Sequence, residues 1–159
     1  MKRLFLLAFL SATIFQSCQN AENNSHEGHN GHDKNQQPLT QADSLYKEVM
    51  DAHDAVMPKM GKVRGAQKKA LQLVDSISSL SPQLLKINQP LKKELEQLVS
   101  DLNYADYAMD QWMTEFNLDS GANNPAIRIQ YLASEKEKVL KVKAAILNSL
   151  AKADSLLNK

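Results

Sequence analysis

From Thr40 to Leu157 apolar residues recur at three- and four-residue intervals, and no stretch alternates as a half-buried strand would. Three helices are predicted, at about 40–80, 90–117 and 125–157. Thr40, with Asp43 three residues on, is a capping-box start for the first. On a helical wheel Leu45, Val49, Val56, Met60, Val63, Ala70 and Val74 form one stripe. His53 lies within that stripe, and Tyr46, Met50 and Met57 lie on its flank. Pro58 removes one backbone bond, and because the stripe keeps its phase across it, a kink is predicted instead of a break.

Ser81-Pro82 opens a short turn, and Pro90 suits the first position of a second helix. The stripe of that helix is Leu91, Leu95, Leu98, Leu102, Ala105, Met109, Trp112, Met113 and Phe116, with Asp106 and Asp110 at its edge. A turn containing Gly121 follows, and Asn124-Pro125 starts the third helix. Leu132, Val139, Val142, Ile146, Leu150, Ala153 and Leu157 line up there, interrupted at the near end by Arg128 and Glu135. The predicted fold is all-α: an antiparallel three-helix bundle over residues 39–159.

Such a topology gathers unusual residues at one end. Apart from Met1, the methionines are Met50, Met57, Met60, Met109 and Met113, and they fall beside the only tryptophan, Trp112, beside Phe116 and beside His53. Soft thioethers with an imidazole suit copper, and His53, Met57 and Met60 at i, i+4 and i+7 share a helix face. The same residues also make an ordinary core end, because methionine fills irregular gaps and packs well on aromatics. His53 would then bond a carboxylate such as Asp106, Asp110 or Glu135. A third reading is an adaptable recognition face for a peptide or helix of an envelope protein, with Trp112, Phe116, Met50 and Tyr46 as its contacts.

The amino terminus changes the address of the protein. Lys2 and Arg3, the apolar run Leu4 to Phe15, and then Cys18 read as a lipoprotein signal over residues 1–17. The run is shorter than the roughly 20 residues of a membrane span. Cys18 is the only cysteine, so no disulfide forms within the chain, and acylation of palmitate type is its expected use. A lipid anchor would hold the protein at the outer or inner membrane of the cell envelope. Residues 18–38 are polar and rich in Asn, Gln and His, as in a disordered tether. Within them His26, His29 and His32 are spaced H-x-x-H-x-x-H, which can wrap a zinc or copper ion or can serve as a polar spacer.

Charge excludes one class of partner. Without Lys2 and Arg3 the 19 basic residues fall to 17 against 18 acidic ones, so no basic excess exists to bind nucleic acid. Catalysis lacks support as well: no nucleophile motif, phosphate-binding glycine loop or H-E-x-x-H is present. The sequence therefore predicts a membrane-anchored, non-enzymatic helical binding module. Its alternative is a copper- or zinc-handling lipoprotein using the histidine tail and the His53/Met cluster.

Tyr46-x-x-Val49-Met50-x-x-His53-Asp54-x-x-Met57-Pro58-x-Met60, followed by Asp110-x-Trp112-Met113-x-x-Phe116, resembles a family of small exported lipoproteins from Bacteroidota-type bacteria. Some of its members are labelled viral A-type inclusion proteins. The resemblance implies an exported address and long helices, and it implies no chemistry.

Overall fold

A computed structural model describes residues 38–158. The predicted signal segment, the acylated Cys18 and the tether with His26, His29 and His32 lie outside the described residues. Four α-helices follow in order: α1 (Gln41–Asp54), α2 (Met60–Ser78), α3 (Pro82–Glu115) and α4 (Pro125–Leu157), with a 3-10 turn at Met57–Lys59 between the first two. No described residue is in a strand, and no described helix is long and apolar enough to cross a membrane.

Cross-helix bonds fix the directions. Arg64 on α2 meets Asp106 on α3 at 2.9 Å, and Gln67 donates to Asn103, so α2 and α3 run antiparallel. Lys152 with Asp101, and Trp112 with Glu135, set α4 antiparallel to α3. Lys136 pairs with Glu48, and Lys69 donates to the carbonyl of Leu157, so α4 runs parallel to both parts of the first arm. The result is the predicted up-down-up bundle. Its buried apolar side chains lie between Val49 and Leu157 and form one core, within a compact unit, Gln36–Lys159. That unit has what it needs to fold by itself.

The first arm differs from the prediction in one respect. Pro58 has no N–H to offer the carbonyl of Asp54, and the chain answers with three-residue bonds, Val56 N to His53 O at 3.0 Å and Lys59 N to Val56 O at 2.8 Å. The α-helix is interrupted there instead of bending through. The apolar stripe nevertheless resumes, with Val49, Ala52 and Val56 buried before the turn and Met60, Val63 and Ala70 after it. The turn also changes neighbours: α1 packs mainly on α4, whereas α2 packs mainly on α3.

The second helix starts eight residues earlier than predicted. Pro82, not Pro90, occupies the first turn, and Pro90 sits inside α3. Pro90 and Lys86, whose carbonyl loses a donor, are both exposed, so water can satisfy that carbonyl. Leu85, Asn88 and Lys92 are half-buried and continue the face that packs on α2. Packing holds the helix together where the local signal would end it.

The caps match the sequence. Thr40 Oγ1 accepts from Asp43 N, and Asp43 Oδ2 accepts from Thr40 N, both at 3.1 Å. Hydrogen bonding to Thr40, foremost from its side chain, holds the Asp43 carboxyl below its ordinary pKa. Asn124 Oδ1 accepts from Ala126 N and Ile127 N, with Pro125 just inside α4.

Two predictions arise from this frame. Gly65 lies inside α2, and a Cβ built on it meets nothing within 4 Å. Gly65→Ala should therefore raise stability by about 1 kcal/mol through helix propensity alone, read as a higher urea midpoint at unchanged slope. The second prediction concerns acid. The hydrogen bond from Lys152, 2.8 Å, holds the Asp101 carboxyl below its ordinary pKa. A depressed folded-state pKa means stability that is present above the unfolded value and lost as pH falls through the folded one. Asp101→Asn should thus lower stability at neutral pH and flatten its fall below about pH 4. Denaturation midpoints at a series of pH values check this.

Candidate functional site

The end of the bundle that the sequence singles out is built by α1, the 3-10 turn, the last turns of α3 and the start of α4. Four rings stack there in a ladder. His53 lies 5.7 Å from Trp112, Trp112 5.0 Å from Phe116, and Phe116 6.1 Å from Tyr131, between ring centroids. Each of these rings comes from a different turn or helix, so the ladder ties α1, α3 and α4 together. Offset aromatic pairs of this kind add roughly 0.5–1.5 kcal/mol each beyond buried area.

Trp112 is 5% exposed, and its Nε1 donates to Glu135 Oε2 at 3.0 Å. Glu135 is itself only 2% exposed, and its other oxygen accepts from Lys138 Nζ at 2.8 Å. One indole and one ammonium thus satisfy both oxygens of a buried carboxylate. The bond to Glu135 raises the Lys138 ammonium pKa, so this contribution is complete below the unfolded lysine value and is lost as pH rises through the folded one. Among the described residues no buried side-chain nitrogen or oxygen lacks a partner.

His53 finds a different partner from those expected. Its Nδ1 donates to Asp54 Oδ1 at 2.8 Å, the carboxylate of the next residue. Glu135 is occupied by Trp112 and Lys138, and Asp106 and Asp110 both face Arg64, at 2.9 and 3.7 Å. The two aspartates therefore share one guanidinium.

Met60 and Met109 are buried, Met50 and Met113 half-buried, and Met57 on the turn is exposed. Tyr46 and Phe116 are half-buried. Among the described residues no three His, Cys, Asp or Glu side chains gather as a metal site of those ligands would need. Tyr131 Oη accepts from Asn117 N at 2.6 Å, closing the end of α3. Arg128 turns away from the ladder and donates to the carbonyls of Leu118 and Ser120, holding the α3–α4 loop. The buried polar groups of this end are satisfied, while Met57, Leu118 and Ile127 around the ladder stay exposed. Little of Trp112 is left for a partner to touch.

The opposite end exposes an apolar face. Lys69 Nζ reaches the carbonyl of Leu157 at 2.5 Å, so α4 finishes level with Lys69. From there α2 continues nine more residues to Ser78, about 13 Å at 1.5 Å per residue, and α3 returns beside it. Over this projecting hairpin tip the apolar stripe goes on without α4 to cover it. Leu73 and Leu80 on the α2 side, with Leu84, Ile87 and Leu91 on α3, are all exposed, Ile87 at 72%. The same α3 face is fully buried by α4 further along, at Leu98, Leu102 and Ala105. Of the exposed residues at the tip, the stripe predicted for the second helix included only Leu91, as a core position, and Leu91 is exposed. The available signal was the spacing of Leu80, Leu84, Ile87 and Leu91 in a stretch, residues 76–91, whose only charge is Lys86.

No family model, characterised protein or solved structure matches this chain.

Proposed function

We propose that this protein is a lipid-anchored helical binding module of the cell envelope, without catalytic chemistry, that recognises an amphipathic helix along the bare α2–α3 groove. One observation carries the binding reading. The groove between α2 and α3 holds a helix, α4, over its inner part, and among the described residues nothing covers its outer part, which has the same apolar lining. A surface already shaped for a helix and still exposed is suited to another one. Support for the anchor comes from the sequence: Lys2, Arg3, the apolar run to Phe15 and the lone Cys18. The nineteen residues between Cys18 and Pro38 would give a reach of at most about 60 Å. Thr40, where the chain enters the domain, lies beside Pro125 and Arg128, at the end of the bundle away from the tip. In this arrangement the anchor side and the recognition side are opposite ends.

The test is photo-cross-linking in the intact envelope, with a benzoylphenylalanine placed at position 87 and, for comparison, at the exposed position 104 of the same helix. Adducts are expected from position 87 and not from 104. No adduct from position 87, in a chain that labels with palmitate at Cys18, would refute the binding reading.

A further inference from the structure

We infer that the occupant of the bare groove is a second copy of this chain, the two hairpin tips packing antiparallel about a twofold axis near Ile87 to close a four-helix bundle. This rests on the binding reading above and names its partner.

Three observations converge on a second copy. The first is spacing. Leu84 and Leu91 lie nearly symmetrically about Ile87, so in an antiparallel pairing centred there each Leu84 opposes the other copy's Leu91 and the two Ile87 side chains meet. That register is self-complementary, which is what a twofold interface demands. Leu73 and Leu80 close the groove from the α2 side.

The second is charge. Residues 76–91 carry one charged side chain, Lys86, in a chain in which 23% of residues are charged. A partner chosen by opposite charge would need a charged surface to read. A copy of the same face brings only the exposed Lys86 of each chain into play, and loss of charge is the compositional mark of an interface core.

The third is area. The exposed parts of Leu73, Leu80, Leu84, Ile87 and Leu91 amount to about 450 Å², the size of the largest apolar patch on a typical monomer, which is often a functional surface. Two copies would bury about twice that in apolar surface alone. With the polar rim of Ser76, Ser79 and Gln83 the total clears the roughly 1,000 Å² of a specific interface.

Sedimentation velocity on residues 36–159 tests the inference. This unit contains the whole described core and lacks Cys18, so it carries no native thiol. A dimer is expected at tens of micromolar, weakened about a hundredfold by Ile87→Glu. That side chain is exposed, so the variant should keep its helical circular dichroism and its thermal midpoint. Ile87→Cys should oxidise to a covalent dimer in air, and Tyr104→Cys, also well exposed on the same helix, should not. Three results would overturn the inference: a monomer at sub-millimolar concentration, a dimer indifferent to Ile87→Glu, or cross-linking from 104 that equals that from 87. A monomer that floats with phosphatidylglycerol vesicles, and loses this with Ile87→Glu, would overturn it in favour of a bilayer. A monomeric domain whose position 87 still photo-cross-links to another envelope protein overturns the second copy and leaves the binding module standing.

Discussion

Replacing Trp112 with alanine is expected to lower the stability of the domain by about 3–5 kcal/mol, a large part of the 5–15 kcal/mol typical of a whole domain. Several losses coincide at this side chain. The indole is nearly fully buried and stacks between His53 and Phe116, so its removal opens a cavity where three helices meet. Its Nε1 is also the donor to Glu135 Oε2, so the carboxylate keeps only Lys138 for partner while remaining 2% exposed. Trp112→Phe separates the two effects. The ring and its stacking are kept, the donor is lost, and the cost should fall to about 1–3 kcal/mol. Urea denaturation followed by circular dichroism reads both variants, since Trp112 is the only tryptophan and its own fluorescence disappears with it. Equal midpoints for Trp112→Ala and wild type would mean that this end is not the structural clamp described.

Gly121→Ala is expected to cost about 2–4 kcal/mol, although the substitution adds a single methyl group on a loop. Gly121 has φ +71, the left-handed region where a side chain is strained, and the added Cβ would sit 2.5 Å from the backbone nitrogen of Arg128. That neighbour is main chain in the first turn of α4 and cannot swing aside. The loop must move, and with it the carbonyls of Leu118 and Ser120 that Arg128 holds. The contrast with Gly65→Ala, expected to stabilise, makes the pair a test of backbone environment at constant chemistry. A loss of thermal midpoint in the first and a gain in the second is the expected outcome. Similar shifts in both would contradict it.

What could be read from the sequence follows from which forces are local. Thr40 with Asp43 and Asn124 with Pro125 form their caps within a few residues, and both helix starts were legible. The sulfur-rich aromatic end was legible too, because periodicity and an up-down-up path bring residues 53, 112 and 131 to one level. Helix limits set by packing were not legible. Both Pro82 and Pro90 suit a first helical turn, and only the half-buried Leu85, Asn88 and Lys92 decide for the earlier one. The partner of His53 was missed because Glu135 could not be known to serve Trp112, nor Asp106 to serve Arg64. The bare tip was hidden for a similar reason. An apolar stripe looks the same in sequence whether or not a third helix reaches far enough to cover it, and the level at which α4 stops is a tertiary fact.

If the hairpin tip is the working surface and the methionine–aromatic end its support, hydroxyl-radical footprinting reads both ends in one experiment. Labelling of this chain in the intact envelope is compared with labelling of residues 36–159, dilute and in isolation. Leu80, Leu84, Ile87 and Leu91 should be protected severalfold in the envelope, while Met57 and Met113 oxidise equally in both samples. Equal labelling of the tip, with protection appearing at Met57 and Met113, would contradict the account and move the binding surface to the end the sequence first singled out.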